Sequence, residues 1–570
     1  MIAAPEPAPS PRRLRLYGVG AAVFGGLAVH AAIPTLDLAV TSLVAWVPAL
    51  YLARELPWKR RLRLGWLLGF CADAITFAFI SFTMQHMTSL PSAAGVGLVI
   101  LYAGWHGLLG GVFLALSEPA RRAAESRLRG SGPVAVALTY AAVDWLWPQV
   151  FPLSIGHSFW QVGPVASVAA LTGVPGIAFL VLLVNASLAD LWRTRAVRRL
   201  VLPGAVLVAL LGFGVAWYAH LQTAEPVRTL RVAVLQPNYT LEEKQRAAGR
   251  LGRAAVAPQR KAFFERLDAQ IRALPPDRYD LIVGPEGAFP YNWRVDLEAL
   301  PPGDLPRDAL PTRAIARAVA EGPRTDTILG GLRRGPDGRT RNAAVHIGPD
   351  GHLRGHYDKQ TLMAFGEYLP ARGLFEDLFG AIHGIADLEP GDHACAFDAA
   401  GVRVSCGICY ESVFAVTTRD DLGDASLLVN LTIDTWFGTT NAPESHLMLQ
   451  TARAAELGVP LVRAALTGVT AVVGPDGQIE ARLPRDEPGT LSVDVPLYDL
   501  STPFRAVGPA FAWLAIGLAL SLLSLAFVRR RELWPPTGVV PLVRRDGDYP
   551  SPHSEGAPDD AGPPGRTADN

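Results

Sequence analysis

Charge is scarce in this chain, and what there is cancels. Only 18% of the 570 residues are charged, the formal net charge is zero and half of the residues are hydrophobic. That balance says nothing about partners, but no basic face for nucleic acid is visible in the sequence and no partner of that kind is expected. The sequence also lacks a glycine-rich phosphate loop and a cluster of metal-ligand residues, so neither a metal nor an organic cofactor is expected. Cysteine is rare: Cys71, Cys395, Cys406 and Cys409 are all there are. Cys71 falls in an apolar run and is expected to be inert. Cys406-Gly407-Ile408-Cys409 has the spacing of a redox pair, but it closes a strand-like run and lacks the helix-start setting of that chemistry. Cys395 and Cys406 could instead form a structural disulfide in an oxidising compartment, which would leave Cys409 free.

The apolar residues are concentrated. Before residue 222 the chain is a series of runs, each able to cross about 30 Å of hydrocarbon. They lie near 16–36, 38–54, 64–84, 93–116, 133–150, 171–191 and 200–220, and a last one lies near 507–528. Cationic residues occupy alternate loops. Arg12, Arg13 and Arg15 precede the first run; Arg54, Lys59, Arg60, Arg61 and Arg63 follow the second. Arg121, Arg122, Arg127 and Arg129 follow the fourth, and Arg193, Arg195, Arg198 and Arg199 the sixth. Loops 31–37, 84–92 and 151–170 contain neither Lys nor Arg. Cationic loops stay in the cytoplasm. The N-terminus is therefore expected inside, residues 222–506 outside, and the chain after Arg529-Arg530-Arg531 inside again. The first run lacks a small-residue cleavage site and is expected to be retained. The organisation expected is a membrane domain of about seven helices (1–221), an external domain (222–506), a closing span (507–531) and a disordered cytoplasmic tail (532–570).

Some polar residues fall inside the apolar runs: Asp73, His106, Asp144 and His157. Charge within a membrane is costly and often functional, but the plainer expectation is that these residues face the bundle and are locally satisfied. The segment from Asp144 to Pro152, with Trp145, Trp147 and Pro148, reads as an aromatic belt or a broken helix.

The external residues alternate between β-branched runs and helical stretches. Strands are expected at 229–235, 279–284, 326–332, 341–347, 402–408, 426–433, 468–473 and 490–495, and helices near 255–273, 310–321 and 443–457. Gly-Pro-Asp-Gly turns at 335–338, 348–351 and 474–477 punctuate hairpins. One α/β domain with a substantial core follows.

Three residues in that domain could carry chemistry together. Glu286, in Gly284-Pro285-Glu286, Lys359, in Tyr357-Asp358-Lys359, and Cys409, in Cys409-Tyr410-Glu411, each follow a strand-like run. A thiol attacks as its thiolate and needs a base; Glu286 could take the proton if burial raised its pKa. Lys359 could stabilise the thiolate and the oxyanion formed on an attacked carbonyl. Cys409 is expected at a strand-to-helix turn, where a helix N-terminus would add positive potential. Glu367 and Glu411 form a second pair of carboxylates close by in sequence. Taken singly, each has a plainer reading: a buried small cysteine, a turn glutamate, a solvated lysine.

The ordered series Pro285-Glu286, Tyr357-Asp358-Lys359, Phe365-Gly366-Glu367-Tyr368-x-Pro370, Cys409-Tyr410-Glu411, Asp434-x-Trp436-Phe437-Gly438 and Gly468-Val469-Thr470-Ala471-Val472 resembles the nitrilase (carbon–nitrogen hydrolase) superfamily. The eight-span frame resembles its membrane-bound apolipoprotein N-acyltransferase family. The resemblance implies a multi-span α-helical membrane protein with an inserted αββα sandwich, monomeric, in a bacterial cytoplasmic (inner) membrane with the sandwich on the periplasmic side. It implies Glu286 as base, Lys359 as oxyanion stabiliser and Cys409 as nucleophile. Asn342, Glu367, Tyr410, Glu411 and Trp436 would bind substrate or support the site. The implied reaction moves an acyl chain from a phospholipid through a Cys409 thioester to the α-amino group of a lipoprotein's diacylglyceryl-cysteine.

The chain also departs from that pattern. Gly284 stands where a Trp is common, Met363-Ala364 replace Val-Pro, Ile433 replaces an Asn, Ala465-Leu466-Thr467 replace an Asn-rich turn, and no Trp comes soon after Lys244. These changes leave open a divergent membrane-anchored amidase or acyltransferase with a different acceptor. A ligand-binding membrane protein without catalysis is the other alternative.

Overall fold

The computed structural model describes residues 11–34, 36–87, 91–249, 253–296, 306–364, 366–368 and 387–529. The tail 532–570, Arg530, Arg531, Phe365 and Pro370 lie outside the described residues.

The first part is a helical bundle. Its helices are Pro11–Ala31, Val47–Ala53, Trp58–Thr76, Phe79–Met87, Ser92–Glu125, Gly132–Leu146, Val174–Thr194 and Val201–Thr223, and Ala510–Val528 joins them from the far end of the chain. Among the described residues, Ser92–Glu125, Val174–Thr194, Val197–Thr223 and Ala510–Val528 are long and apolar enough to cross a membrane. Trp58–Thr76 and Phe79–His86 make a fifth crossing if their 45° bend lies within one span. The expected eight full crossings are thus not all present as single long helices. The run 38–54 breaks into a 3₁₀ turn and the short helix Val47–Ala53. The run 133–150 gives a helix of only 15 residues, about 22 Å long at 1.5 Å per residue. Its end has a local cause. Trp147 precedes Pro148, which drives its backbone to ψ 126° and out of the helix.

Small residues let the helices approach closely. A Cβ placed on Gly65 would lie 2.1 Å from the Gly110 carbonyl oxygen, so Trp58–Thr76 and Ser92–Glu125 touch backbone to backbone. The interior is apolar and aromatic, with Trp46 against Phe113 and Tyr140. Val201–Thr223 instead leaves Val201, Val208 and Val215 exposed, as a helix facing hydrocarbon does. The polar residues within the bundle are mostly satisfied. His106 meets Asp73 at 2.9 Å and Gln149 at 3.0 Å, and His157 bonds the backbone of Ser154. Asp144 departs from that expectation. Its Oδ1 has no hydrogen-bond partner among the described residues and the side chain faces a cavity lined by Asp73, Tyr140 and Ser154.

The second part is built on two sheets. The first has the order β13-β1-β2-β4-β5-β6, with β3 beside β4. Its strands are β1 Arg228–Gln236, β2 Leu281–Val283, β3 Phe289–Trp293, β4 Asp326–Arg334, β5 Thr340–Ile347, β6 Leu353–Asp358 and β13 Gly489–Leu497. The second has the order β12-β11-β10-β9-β8-β7, from β7 Phe397–Ala399, β8 Val402–Ile408, β9 Leu427–Thr432, β10 Leu461–Ala465, β11 Ala471–Val473 and β12 Ile479–Arg482. Strand alternation decides the layers. Leu230, Val232 and Val234 of β1 pack against Val404, Ile408, Val429 and Val462 of the other sheet. Ala233 and Leu235 point the other way, to Phe263 and Leu267 of helix Val256–Arg272 and Ile315 of Leu310–Glu321. On the far side, Leu428, Leu461 and Val473 pack on Leu447, Met448 and Leu457 of helix Ala442–Leu457. The result is the expected αββα sandwich. All three Gly-Pro-Asp-Gly turns join antiparallel neighbours.

The Cys395 and Cys406 sulfurs are bonded, tying β8 to the chain before β7 across 11 residues. Closing a loop of this size stabilises a fold by roughly 3 kcal/mol through the unfolded chain. Replacing both residues (Cys395→Ser with Cys406→Ser) is expected to lower stability by roughly 2–3 kcal/mol. Denaturant unfolding of the detergent-solubilised protein measures this, and an unchanged midpoint would mean that the tether is redundant.

Candidate active site

The sheets bring strand ends together because of how they run. β2 and β4 are parallel, and two antiparallel steps lead from β4 to β6, so β2 and β6 end on the same edge. β8 and β9 are likewise parallel in the facing sheet. Glu286 follows β2, Lys359 follows β6 and Cys409 follows β8. At Gly284, a departure from the family pattern, a Cβ would sit 2.4 Å from Leu329 Cδ2, so a side chain there would require Leu329 to shift. Lys359 is fixed at its backbone, its N–H donating to the Asn342 carbonyl and its own carbonyl accepting from Gly391, each at 2.8 Å.

The three side chains converge with two helpers. Lys359 Nζ lies 2.8 Å from Glu367 Oε2 and 3.9 Å from Glu286 Oε1. The Asn342 amide donates to Glu286 Oε1 at 2.7 Å and to Glu367 Oε1 at 3.0 Å, so one side chain orients both carboxylates. Glu367 Oε2 also accepts the Met363 N–H at 2.8 Å. Glu286 Oε2 is buried without a partner of good hydrogen-bond geometry, while the Cys409 thiol lies near enough to affect its titration.

Electrostatics sorts these groups into roles. Burial lifts Glu286 to about 7, with Lys359 opposing and Glu367 adding to the rise. Burial by itself would weaken the Lys359 ammonium, but Glu367, Glu286 and Cys409 outweigh it and hold the charge well above the ordinary lysine value. Burial pushes the Cys409 thiol up, the Glu286 carboxylate adds to that and Lys359 opposes. The resting site thus holds a fixed cation, a carboxyl poised near neutrality and a protonated thiol that remains half-exposed.

Cys409 sits on a sharp elbow. Its φ is 56°, in the left-handed region, an unusual conformation for any residue with a Cβ. It opens a five-residue 3₁₀ turn, Cys409–Val413, and the next α-helix begins only at Ala415. The expected strand-to-helix turn is present, with a short 3₁₀ turn in place of an α-helix, and Lys359 is the cation that favours the thiolate. Other groups hold the elbow. Glu411 accepts from Tyr357 Oη, from the Gln360 and Thr361 N–H groups and from the Ile408 N–H, all within 2.9 Å, and so ties the loop after Lys359 to the end of β8. The Cys409 carbonyl accepts from both Asn430 and Gln450 at 3.2 Å. Gln450 is in turn held by Arg463 Nε at 2.7 Å, and Arg463 by Asp434 at 2.9 Å. Asn430, Gln450 and Arg463 were not legible as site residues, because they act on a backbone carbonyl and belong to no catalytic spacing.

Tyr410 and Trp436, two of the expected supporting residues, also make contacts away from the triad. Tyr410 turns toward the bundle: its hydroxyl donates to the Val150 carbonyl and its ring lies 6.2 Å from Phe151. Trp436 packs on the helix-side core that includes Ile433 and Leu466. Ile433 and Leu466, both departures from the family pattern, share that apolar cluster. Gln450→Leu would remove a donor from the Cys409 carbonyl and leave Arg463 Nε without its partner. It is expected to cost about 1–3 kcal/mol of stability and to slow thiol chemistry more than Ala substitutions on exposed faces of the same helix. Parallel unfolding and alkylation rates check this.

Two family models match the chain: the apolipoprotein N-acyltransferase N-terminal domain over residues 25–187 and the carbon-nitrogen hydrolase domain over residues 231–502. An apolipoprotein N-acyltransferase of Geobacter metallireducens is 28% identical over 89% of this chain and 95% of its own. That of Nitrosomonas europaea is 30% identical over 82% of this chain and 88% of its own. Among solved structures, a Nesterenkonia AN1 amidase of the nitrilase superfamily matches 47% of this chain and 90% of its own at 20% identity, with a TM-score of 0.30. By relatives that run nearly end to end, and by family models on both of its parts, this chain belongs to the apolipoprotein N-acyltransferase family.

Proposed function

We propose that the protein transfers an acyl chain from a phospholipid to the α-amino group of a lipoprotein's N-terminal diacylglyceryl-cysteine, by way of a thioester on Cys409. The observation that carries this reading is the Lys359 ammonium set between Glu286 and Glu367, at the strand edge from which Cys409 projects. In the first half, Cys409 Sγ attacks the donor's ester carbonyl and Glu286 takes the thiol proton. Lys359 stabilises the oxyanion. Collapse breaks the carbon–oxygen bond, the proton passes from Glu286 to the leaving glyceryl oxygen, and a lysophospholipid departs. In the second half, the acceptor amine attacks the thioester, Glu286 takes its proton, the carbon–sulfur bond breaks and the thiol is restored. The chemistry as proposed needs no group from a second copy, and the protein is proposed to act as a monomer.

The site is proposed to face the periplasm. The Cys395–Cys406 bond fits an oxidising compartment. The Lys- and Arg-free loops also lie against one another or against the sandwich. Trp160 Nε1 donates to Asp37 at 3.0 Å, Gln478 donates to the Trp160 carbonyl at 3.0 Å and Gln245 donates to the His86 carbonyl at 2.9 Å. The cationic loops gather elsewhere, where Arg54 and Arg199 share Asp190 and Arg199 also meets Glu125.

Incubation with phospholipid and no acceptor is expected to leave an acyl adduct on Cys409, detectable by intact and peptide mass spectrometry and lost in Cys409→Ser. A diacylated lipopeptide should discharge it. Discharge by water or unrelated amines alone would move the protein to the amidase alternative, and no adduct at all to the non-catalytic one. Glu286 must be ionised to act as base, and its value is about 7. The acylation rate is therefore expected to climb through neutral pH and level off above it. A rate that is flat from about pH 5 to 9 would remove Glu286 from that role. Glu286→Gln should cost about 10²–10⁴-fold in rate.

A further inference from the structure

One cation near the site has no role in the chemistry above. Lys244 lies on the short helix Leu241–Ala247. That helix is firmly placed. Thr240 and Glu243 cap it reciprocally, and Glu243 is also held by Arg266 at 2.8 Å. The adjacent Gln245 donates to the carbonyl of His86, at the end of the membrane helix Phe79–Met87. The helix is thus a bridge between the bundle and the catalytic edge. From it Lys244 reaches inward: its Nζ lies 3.5 Å from where a Cβ on Gly287, the residue after Glu286, would sit.

Its neighbours on the helix and nearby are paired. Arg246 meets Glu242, Arg266 meets Glu243 and Lys261 meets Glu265. Lys244 makes no ion pair among the described residues. It keeps partial access to solvent although protein encloses it closely. Burial lowers its pKa to about 8, Glu286 opposing the fall and Arg260 adding to it. An ammonium in this condition is stabilised by an anion that comes to it. Lysine suits a phosphodiester as a compact point charge.

Resting on the acyl-transfer reading, we infer that Lys244 recognises the phosphodiester of the phospholipid donor, holding the headgroup at the bundle side of the site while the ester reaches Cys409. The acceptor is the poorer fit. Its reacting group is an amine, which a second cation beside Glu286 would repel when protonated.

The test compares two acyl donors in the same detergent micelles: a diacyl phospholipid, and a p-nitrophenyl ester of the same fatty acid, which needs the thiol chemistry but has no phosphate. Acyl-Cys409 formation is followed by mass spectrometry in the wild type, Lys244→Gln and Lys244→Arg. The expected result is that Lys244→Gln raises the half-saturating phospholipid fraction about tenfold or more, while its nitrophenyl ester curve and plateau rate stay those of the wild type. Lys244→Arg should keep most of the phospholipid affinity. Equal losses on both donors would make Lys244 a positioning residue for Glu286 and overturn the inference, as would no change on either. Inorganic phosphate that blocks the nitrophenyl ester reaction in the wild type but not in Lys244→Gln would point to a free-anion site and overturn the lipid assignment. A wild type acylated by neither donor would overturn the function reading and this inference together.

Discussion

The catalytic edge depends on one buried ammonium. Lys359 is 1% exposed, and a charge in that position persists only where opposite charge and hydrogen bonds meet it. Two carboxylates stand beside it, and a single cation does not fully compensate both. Glu367, at 2.8 Å and also held by Asn342 and the Met363 N–H, is the fixed counter-ion. Glu286, farther off at 3.9 Å, carries the mismatch and is left near neutrality. Burial and the longer distance together set Glu286 apart: the nearer carboxylate is engaged by the lysine, and the farther, buried one is poised to exchange a proton.

Much of this was legible in the sequence, for a physical reason. The runs 279–284 and 402–408 are largely apolar, and the residues that follow them, Glu286 and Cys409, must lie at a sheet edge. The strand Leu353–Asp358, which delivers Lys359, is mostly polar and is not among the expected strands. The parts that were not legible share a different reason. Leu461–Ala465 is a buried strand with Arg463 in its middle, and a charge breaks the apolar signal even when, as here, it is wholly buried against Asp434 and Gln450. Phe397–Ala399 is too short to carry a period. Trp436 belonged to a recognisable motif, yet its side chain serves packing. In the bundle, hydropathy located the apolar runs, and the Trp147-Pro148 step within the segment read as a broken helix is where one helix stops after 15 residues.

The two parts of the molecule meet through specific contacts as well as apolar packing. Glu456 of the sandwich accepts the Val174 N–H at the start of a membrane helix, and Gln222 reaches Asp476. The most suggestive contact is at Tyr410. Its hydroxyl bonds the Val150 carbonyl; the adjoining Gln149 is held by His106 and by the Asp144 carbonyl, and His106 by Asp73. The residue after the nucleophile is therefore moored to polar groups deep in the bundle. These groups need no direct part in the chemistry to earn their place in an apolar interior.

The backbone at Cys409 sets stability against activity. A left-handed residue with a Cβ costs on the order of 1–2 kcal/mol relative to glycine. Cys409→Gly would relieve that local cost but would also remove the packing of Cys409 on the core and add freedom to the unfolded chain, and it would abolish the thiol. The nucleophile thus stands on a backbone conformation that its own side chain disfavours, and the contacts of Glu411, Asn430 and Gln450 around the elbow are what hold it there.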